Sequence, residues 1–330
     1  MAAVVRDAAQ SKPGSGLTLV VLASACWSMS GLFINYVVAG SDVSAWGLAF
    51  WREVFTGAFL FVGIYSLKPS LLRVKRRDLP WLAAIGTLGI GLLHVTWNMS
   101  VVINGMAVAT VLQYNAPFFV AIVSWFVWRE PLTRRKVAAV LLAFAGTILV
   151  SQLDWQAGSQ ITLKGFLVGL GTAVSFSNIS LFGKKLSRDY NIWTILFYTF
   201  LFGALALLPF QIGRLLPPAV SPAAGAAFLG LVLVPTIVGY AFYTTGLNRM
   251  QSSVAVIVAT MEVPFAAVVA YLAFSQRLDG RQILGALFVV SGLVLLSWPP
   301  KKGKSVPLVA VGRLPSPPEM VTRERISGSD

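Results

Sequence analysis

The stretch VLQYNAPFFV, residues 111–120, sets Gln113, Tyr114, Asn115 and Pro117 inside a run that is otherwise apolar. Its surroundings decide how it is read. Between Asp78 and Arg129 lie fifty residues without a single Asp, Glu, Lys or Arg, relieved only by His94. At about 1.5 Å per residue such a run makes roughly 75 Å of helix, more than two crossings of a hydrocarbon core about 30 Å thick. The residues between Lys12 and Asp42, and between Arg214 and Arg249, are equally free of charge. Across all 330 residues 56% are hydrophobic and 12% charged, where a soluble domain carries about 25% charged. The mean hydropathy is +0.76. The chain reads as an all-α membrane protein.

Apolar windows between charges and turn signals predict ten transmembrane helices, near 17–38, 46–67, 80–103, 107–128, 135–153, 164–183, 191–211, 223–247, 252–274 and 281–298. Connections are short. A tail of residues 1–16 precedes the first span, a loop at 152–163 separates two halves, and the Pro-rich, polar residues 299–330 form a disordered tail. Even parity puts both ends on one face. With the N-terminus cytoplasmic, 21 of the Lys and Arg residues fall on the cytoplasmic side and five, Arg52, Lys164, Arg214, Arg277 and Arg281, on the other. That bias orients the chain with both termini in the cytoplasm and explains the net charge of +14 without nucleic acid. Cys26 is the single cysteine, which excludes an internal disulfide. The N-terminal apolar segment is too long, and lacks the cleavage site, for a secretory signal.

The chain also matches itself. At an offset of 147, Pro117-Phe118 falls on Pro264-Phe265, Asn115 on Glu262 and Gln113 on Thr260. At 146, Leu132, Arg135, Leu141, Gly146, Leu149 and Ser151 fall on Leu278, Arg281, Leu287, Gly292, Leu295 and Ser297. SMSGLF (28–33) aligns with SNISLF (177–182) at 149. Residues 17–151 and 164–298 are thus two copies of a five-span unit. Five is odd, so the second copy inserts upside down. Two inverted five-helix repeats around a central cavity are a transporter architecture, with the site near the midplane.

TVLQYNAPFFVAIVSWFVWREPLTRRKVAAVLLAFAGTILVS and ATMEVPFAAVVAYLAFSQRLDGRQILGALFVVSGLVLLS resemble the paired EamA domains of the drug/metabolite transporter (DMT) superfamily. The likeness lies in a proline after a polar residue, a basic-acidic helix end such as Arg129-Glu130, and a late glycine. It covers roughly residues 17–298 and implies ten helices about a cavity and export or exchange of small metabolites, amino acids among them. The second copy departs from the pattern with Gln276 in place of an acidic residue and Val263 between Glu262 and Pro264.

Polar side chains inside the spans are the candidate site. A proline clashes with the carbonyl four residues back, so Pro117 is expected to free that of Gln113 and Pro264 that of Thr260, kinking both helices. Freed carbonyls must face protein or water, which places Gln113, Asn115, Thr260 and Glu262 at the cavity. Burying a carboxylate at mid-span costs on the order of 3 kcal/mol. Glu262 is therefore a candidate for coupling a proton to transport or for binding a substrate amine, against the alternative of a structural carboxyl. His94, Trp97 and Asn98 share one helical face and offer cavity lining or, at His94, a proton relay; an interhelical hydrogen bond is the plainer alternative. Asn178 and Tyr243 complete the expected lining, although such residues often only hold helices together. Arg52 and Glu53 project about 100° apart, so their adjacency does not by itself make a salt bridge; pairing to other helices or snorkelling to the interface is expected, and Arg52 is a candidate outer gate.

These features favour a secondary transporter in the plasma membrane, moving a small amphipathic metabolite such as an amino acid outward by alternating access. A passive channel or facilitator is the alternative. An intramembrane enzyme is disfavoured by one His, one Cys and few carboxylates. No P-loop motif, metal site or cofactor is legible. The expected partners are a small-molecule substrate, membrane lipid and a proton, without nucleic acid.

Overall fold

Among the described residues polar side chains cap the starts of six helices, Thr133 and Asp279 ahead of polar first turns and four others at the head of apolar runs. Ser44 accepts from Gly47 N at 3.0 Å, Thr162 from Gly165 N at 3.1 Å, Asn191 from Trp193 N at 3.0 Å and Ser221 from Ala224 N at 3.2 Å. Each cap satisfies an amide that the first turn leaves open. The computed structural model describes residues 14–150, 162–211, 221–274 and 279–297. The assignments of residues 1–13, 151–161 and 298–330, and of Gln276, lie outside that set.

Among the described residues all regular structure is helical. The first half comprises α1 (Gly14–Ser28), α2 (Ser30–Ala39), α3 (Ala45–Leu67), α4 (Leu79–Ala84), α5 (Leu92–Gln113), α6 (Ala116–Trp128) and α7 (Arg134–Val150). The second comprises α8 (Leu163–Leu186), α9 (Ile192–Leu207), α10 (Pro222–Leu231), α11 (Gly239–Arg249), α12 (Ser252–Ala259), α13 (Glu262–Phe274) and α14 (Gly280–Ser297). Eight of the resulting helical runs are long and apolar enough to cross a membrane, and α14 is a shorter apolar helix.

The expected boundary between the third and fourth spans takes an unexpected form, because helical turns persist through Leu92–Gln113. Thr96 lies against Gly171, Asn104 Nδ2 donates to Gly165 O at 2.9 Å, Leu112 lies against Gly169, and Ala116 O accepts from Ser177 Oγ at 3.3 Å. A straight helix would separate residues 96 and 112 by about 24 Å, yet both touch the same turn of α8. The chain therefore doubles back near Asn104.

The two halves repeat each other in detail. A π-helical segment at Ile85–Gly91 joins α4 to α5, and another at Val232–Val238 joins α10 to α11. These segments are 147 residues apart, the offset read from the sequence. α5 stops at Gln113 and α6 starts at Ala116; α12 stops at Ala259 and α13 starts at Glu262.

The relation between the halves is set by α7 and α14. A methyl on Gly146 would lie 2.5 Å from Gly285 O and 2.9 Å from Val289 N, and one on Gly292 would lie 3.1 Å from Ala139 O. Residue 146 thus meets 285 while its repeat mate 292 meets 139, the mate of 285. Equivalent helices crossing antiparallel through reciprocal contacts define a two-fold axis perpendicular to them. The repeats are inverted.

At one end of the bundle the halves are also tied by charge. Arg129 adopts a left-handed conformation (φ 53°), which ends α6 and turns Glu130 inward under α12. Its carboxylate accepts from Ser252 N at 3.0 Å, Ser253 N at 3.4 Å and Ser253 Oγ at 2.5 Å, with Lys136 Nζ 3.6 Å away. Nearby, Lys184 Nζ donates to the carbonyls of Leu247 at 2.7 Å and Met250 at 2.5 Å, closing the end of α11.

Candidate substrate site at two broken helices

Both breaks fall just before their prolines, which places Pro117 and Pro264 in the first turns of α6 and α13, where a missing amide costs no helical hydrogen bond. The carbonyls left open are covered from within. Asn115 Nδ2 donates to the carbonyls of Val111 and Leu112, each at 3.1 Å, and Thr260 Oγ1 to that of Ile257 at 2.6 Å. Thr260 O is not free, as the proline rule anticipated; it accepts from Val263 N at 3.0 Å. The opposite halves add two more hydroxyls, Ser24 to Ala259 O at 3.2 Å and Ser177 to Ala116 O at 3.3 Å.

The two breaks meet through one bond. Tyr114 Oη donates to Glu262 Oε2 at 2.9 Å. Glu262 is the first residue of α13, where open amides favour negative charge. Arg52 lies within electrostatic reach of Glu262 and of Tyr240. Its Nε donates to Thr236 Oγ1 at 2.7 Å in the second π segment, and Thr236 passes the bond to Leu231 O at 2.7 Å. Beside this polar group stands a buried set of rings. The Trp27 ring centre is 5.1 Å from that of Tyr240 and 5.0 Å from that of Tyr243; Phe200 lies 5.6 Å from Tyr240.

The expected residues separate into two groups. Gln113, Asn115, Thr260 and Glu262 sit at the breaks. His94 instead contacts Glu53, with Nδ1 2.6 Å from Oε1. Trp97 follows it, half-buried; the Asn98 side chain is outside the described set. Asn178 Nδ2 donates to Leu88 O at 3.3 Å and so braces α8 against the first π segment. Tyr243 is fully buried and bonded to Ser180 at 2.5 Å. Arg52 and Glu53 do engage different helices. Sequence reading passed over Tyr114, Glu53 and Trp27 as site residues. Tyr114 stood in the polar break itself, and Glu53 was an acid in an apolar run; for Trp27 no pattern set it apart from packing aromatics. Two open surface pockets, about 420 Å³ by Arg73, Lys75 and Tyr190 and about 380 Å³ by Glu130, Lys184 and Arg249, lie away from these breaks.

An all-helical membrane bundle of inverted halves, with interrupted polar helices in the middle of each, is the build of a carrier. The chain belongs to the EamA-like transporter family, which matches it twice, over residues 14–152 and 163–298. It is therefore an integral membrane transporter of the drug/metabolite superfamily. A transporter of Archaeoglobus fulgidus is 28% identical over 79% of this chain and 96% of its own length. The inner membrane transporter YicL of Salmonella typhimurium is 25% identical over 86% and 95%. The pseudopaline exporter CntI of Pseudomonas aeruginosa is 23% identical over 86% and 96%. A solved crystal structure superposes with a TM-score of 0.74 at 19% identity, covering 87% of this chain and 97% of that one; it speaks for the fold alone.

Proposed function

We propose that this transporter carries a small amphipathic or zwitterionic metabolite, an amino acid or similar solute, outward across the plasma membrane by alternating access. The observation that carries the reading is the Tyr114–Glu262 bond, which links the two repeat-equivalent helix breaks. A carboxylate at a helix start, a phenol and a nearby guanidinium offer complementary partners to a solute bearing both an amine and a carboxylate. The short span of unwound chain at each break lets α6 and α13 tilt about fixed partners, and the bond between them is the contact that a substrate amine would replace. A relative named as an exporter supports outward movement. In this reading the spans number ten, residues 17–151 and 164–298 are the moving halves, both termini lie in the cytoplasm, and no nucleotide drives the cycle.

The test is a thermal-shift screen of detergent-solubilised protein against amino acids, amines and organic acids, followed by counterflow in proteoliposomes with the solute that stabilises most. Exchange of labelled for unlabelled solute is expected. Stabilisation by organic acids alone, or flux without trans-stimulation, refutes the reading.

A further inference from the structure

The larger surface pocket, about 420 Å³, lies where the loop after α3, residues 68–78, meets the start of α9. Small-ligand sites occupy about 300–1,000 Å³, so the pocket is large enough to hold one. Ser70, Arg73 and Lys75 line it from the first half, and Asp189, Asn191 and Thr194 from the second. The loop is held in place without using its cationic side chains. Tyr190 Oη accepts from Lys75 N at 3.1 Å, Thr194 Oγ1 donates to Leu71 O at 2.7 Å, and Tyr198 Oη donates to Leu72 O at 2.8 Å. The acid of the loop, Asp78, accepts from Tyr190 Oη at 2.6 Å and lies 3.8 Å from Arg77 Nε. Arg73 and Lys75 are thus exposed cations on a fixed backbone. Neither has an ion-pair partner among the described residues. Asp189 is the one carboxylate on the lining, so the pocket keeps a net positive charge.

Orientation in the membrane asks only for positive charge somewhere in such a loop. It does not ask for a concave pocket, a pinned backbone or a lining drawn from both halves. What lies beside the pocket indicates its ligand. The rings of Phe61 and Tyr65 stack at 5.8 Å on one stripe of α3, and Phe61 lies 5.9 Å from Phe197 of α9. The stripe therefore follows the α3–α9 seam to the loop. Phe61 is 44% exposed and Tyr65 63%; Leu67, the last residue of α3, is 88% exposed and Trp193, in the first turn of α9, 38%. Apolar surface this open suits acyl chains, and Tyr and Trp at its end mark the depth at which headgroups lie. A soluble anion would use the cations and leave the stripe bare.

We propose that this pocket holds the headgroup of an anionic phospholipid, with Arg73 and Lys75 against its phosphate and its acyl chains along the α3–α9 seam. Because residues 70–75 belong to one repeat and 189–194 to the other, the lipid ties the two halves together here and favours the arrangement seen in this structure. The proposal does not depend on which solute is carried.

Native mass spectrometry of the full-length protein, delipidated in a neutral detergent, compares phosphatidylglycerol with phosphatidylcholine of the same chains. Phosphatidylglycerol is expected to bind more tightly. R73Q/K75Q should weaken it about thirtyfold and D189N should tighten it about fivefold, each pocket charge counting as one charge at a membrane surface. R76Q/R77Q takes the same charge from the same loop outside the pocket and should stay within about threefold of wild type. Equal affinity for the two lipids, equal losses in the two double variants, or no tightening in D189N overturns the pocket. Glycerol 3-phosphate tests for a soluble ligand: if it displaces phosphatidylglycerol at the concentration of the lipid itself, the acyl chains contribute nothing and the lipid assignment fails. Phosphatidylglycerol should also raise the melting temperature of wild type and of R76Q/R77Q but not of R73Q/K75Q. A rise that persists in R73Q/K75Q refutes the tie between the halves.

Discussion

Replacing Glu130 by alanine should loosen the junction between the halves by an amount that the structure lets one divide. The carboxylate closes the start of α12 through two amides and a hydroxyl and faces Lys136, and both side chains are buried, 8% and 5% exposed. Losing a helix cap costs about 1–2 kcal/mol. Removing one member of a buried ion pair costs about 3–5 kcal/mol, because the ammonium left behind has no partner. Glu130→Ala should therefore destabilise by about 3–5 kcal/mol in all, the cap included. The double variant Glu130→Ala/Lys136→Met removes the stranded charge and should retain only the capping loss. The measurement is SDS-titrated unfolding of the purified protein in mixed micelles, read by far-UV circular dichroism. If the double variant is no more stable than Glu130→Ala, or if Glu130→Ala itself stays within about 1 kcal/mol of wild type, the pair is not what secures this end of the bundle.

Gly146→Ala places a methyl 2.5 Å from Gly285 O and should destabilise by about 1–3 kcal/mol. Gly31→Ala, with open space around it, should be neutral or gain up to about 1 kcal/mol; the same micelle titration compares them. Tyr114→Phe removes the bond to Glu262 and should lower counterflow of the stabilising solute about tenfold, equivalent to about 1.4 kcal/mol. An unchanged rate would separate that bond from transport. Outside the spans, burial and the hydrogen bond to Asp78 (2.6 Å) hold the Tyr190 phenol above its ordinary value of 10.0. The folded protein thus keeps this proton more tightly than the unfolded chain. The stabilisation is complete below pH 10.0 and drains away as the pH climbs through the raised value. Amide exchange in residues 75–78 should quicken over that alkaline range in wild type. Tyr190→Phe should instead show a constant, roughly fivefold faster exchange at neutral pH, the equivalent of about 1 kcal/mol.

The helices and their repetition were legible because both rest on properties local to the chain. Long stretches without charge demand backbone pairing within each span, and the 147-residue offset carried Pro117 onto Pro264 and, in space, one helix break onto the other. The breaks were placed slightly wrong for a physical reason: a proline in a first turn has no helical amide to lose, so each helix stops upstream and Asn115 or Thr260 covers the carbonyls. The π segments were not legible. Only Pro235 and a scatter of glycines mark them, and widening a turn depends on what packs against it. Pairing lay further out of reach. Periodicity shows that Arg52 and Glu53 point apart, but their partners, His94 and Thr236, stand 41 residues from Glu53 and 184 residues from Arg52. Which helix comes to lie beside which is settled by the whole bundle. The turn at Asn104 was legible, since the spans read from the sequence end at 103 and resume at 107 and Asn104-Gly105 is a poor helix former; the persistence of helical turns through it was not.

The seam between α7 and α14 has a consequence for assembly. Its grooves and ridges are self-matching, so each half displays at its terminal helix the surface that it also needs to find. Two separately synthesised halves entering the bilayer in opposite senses would therefore hold the information to recognise each other without a covalent link.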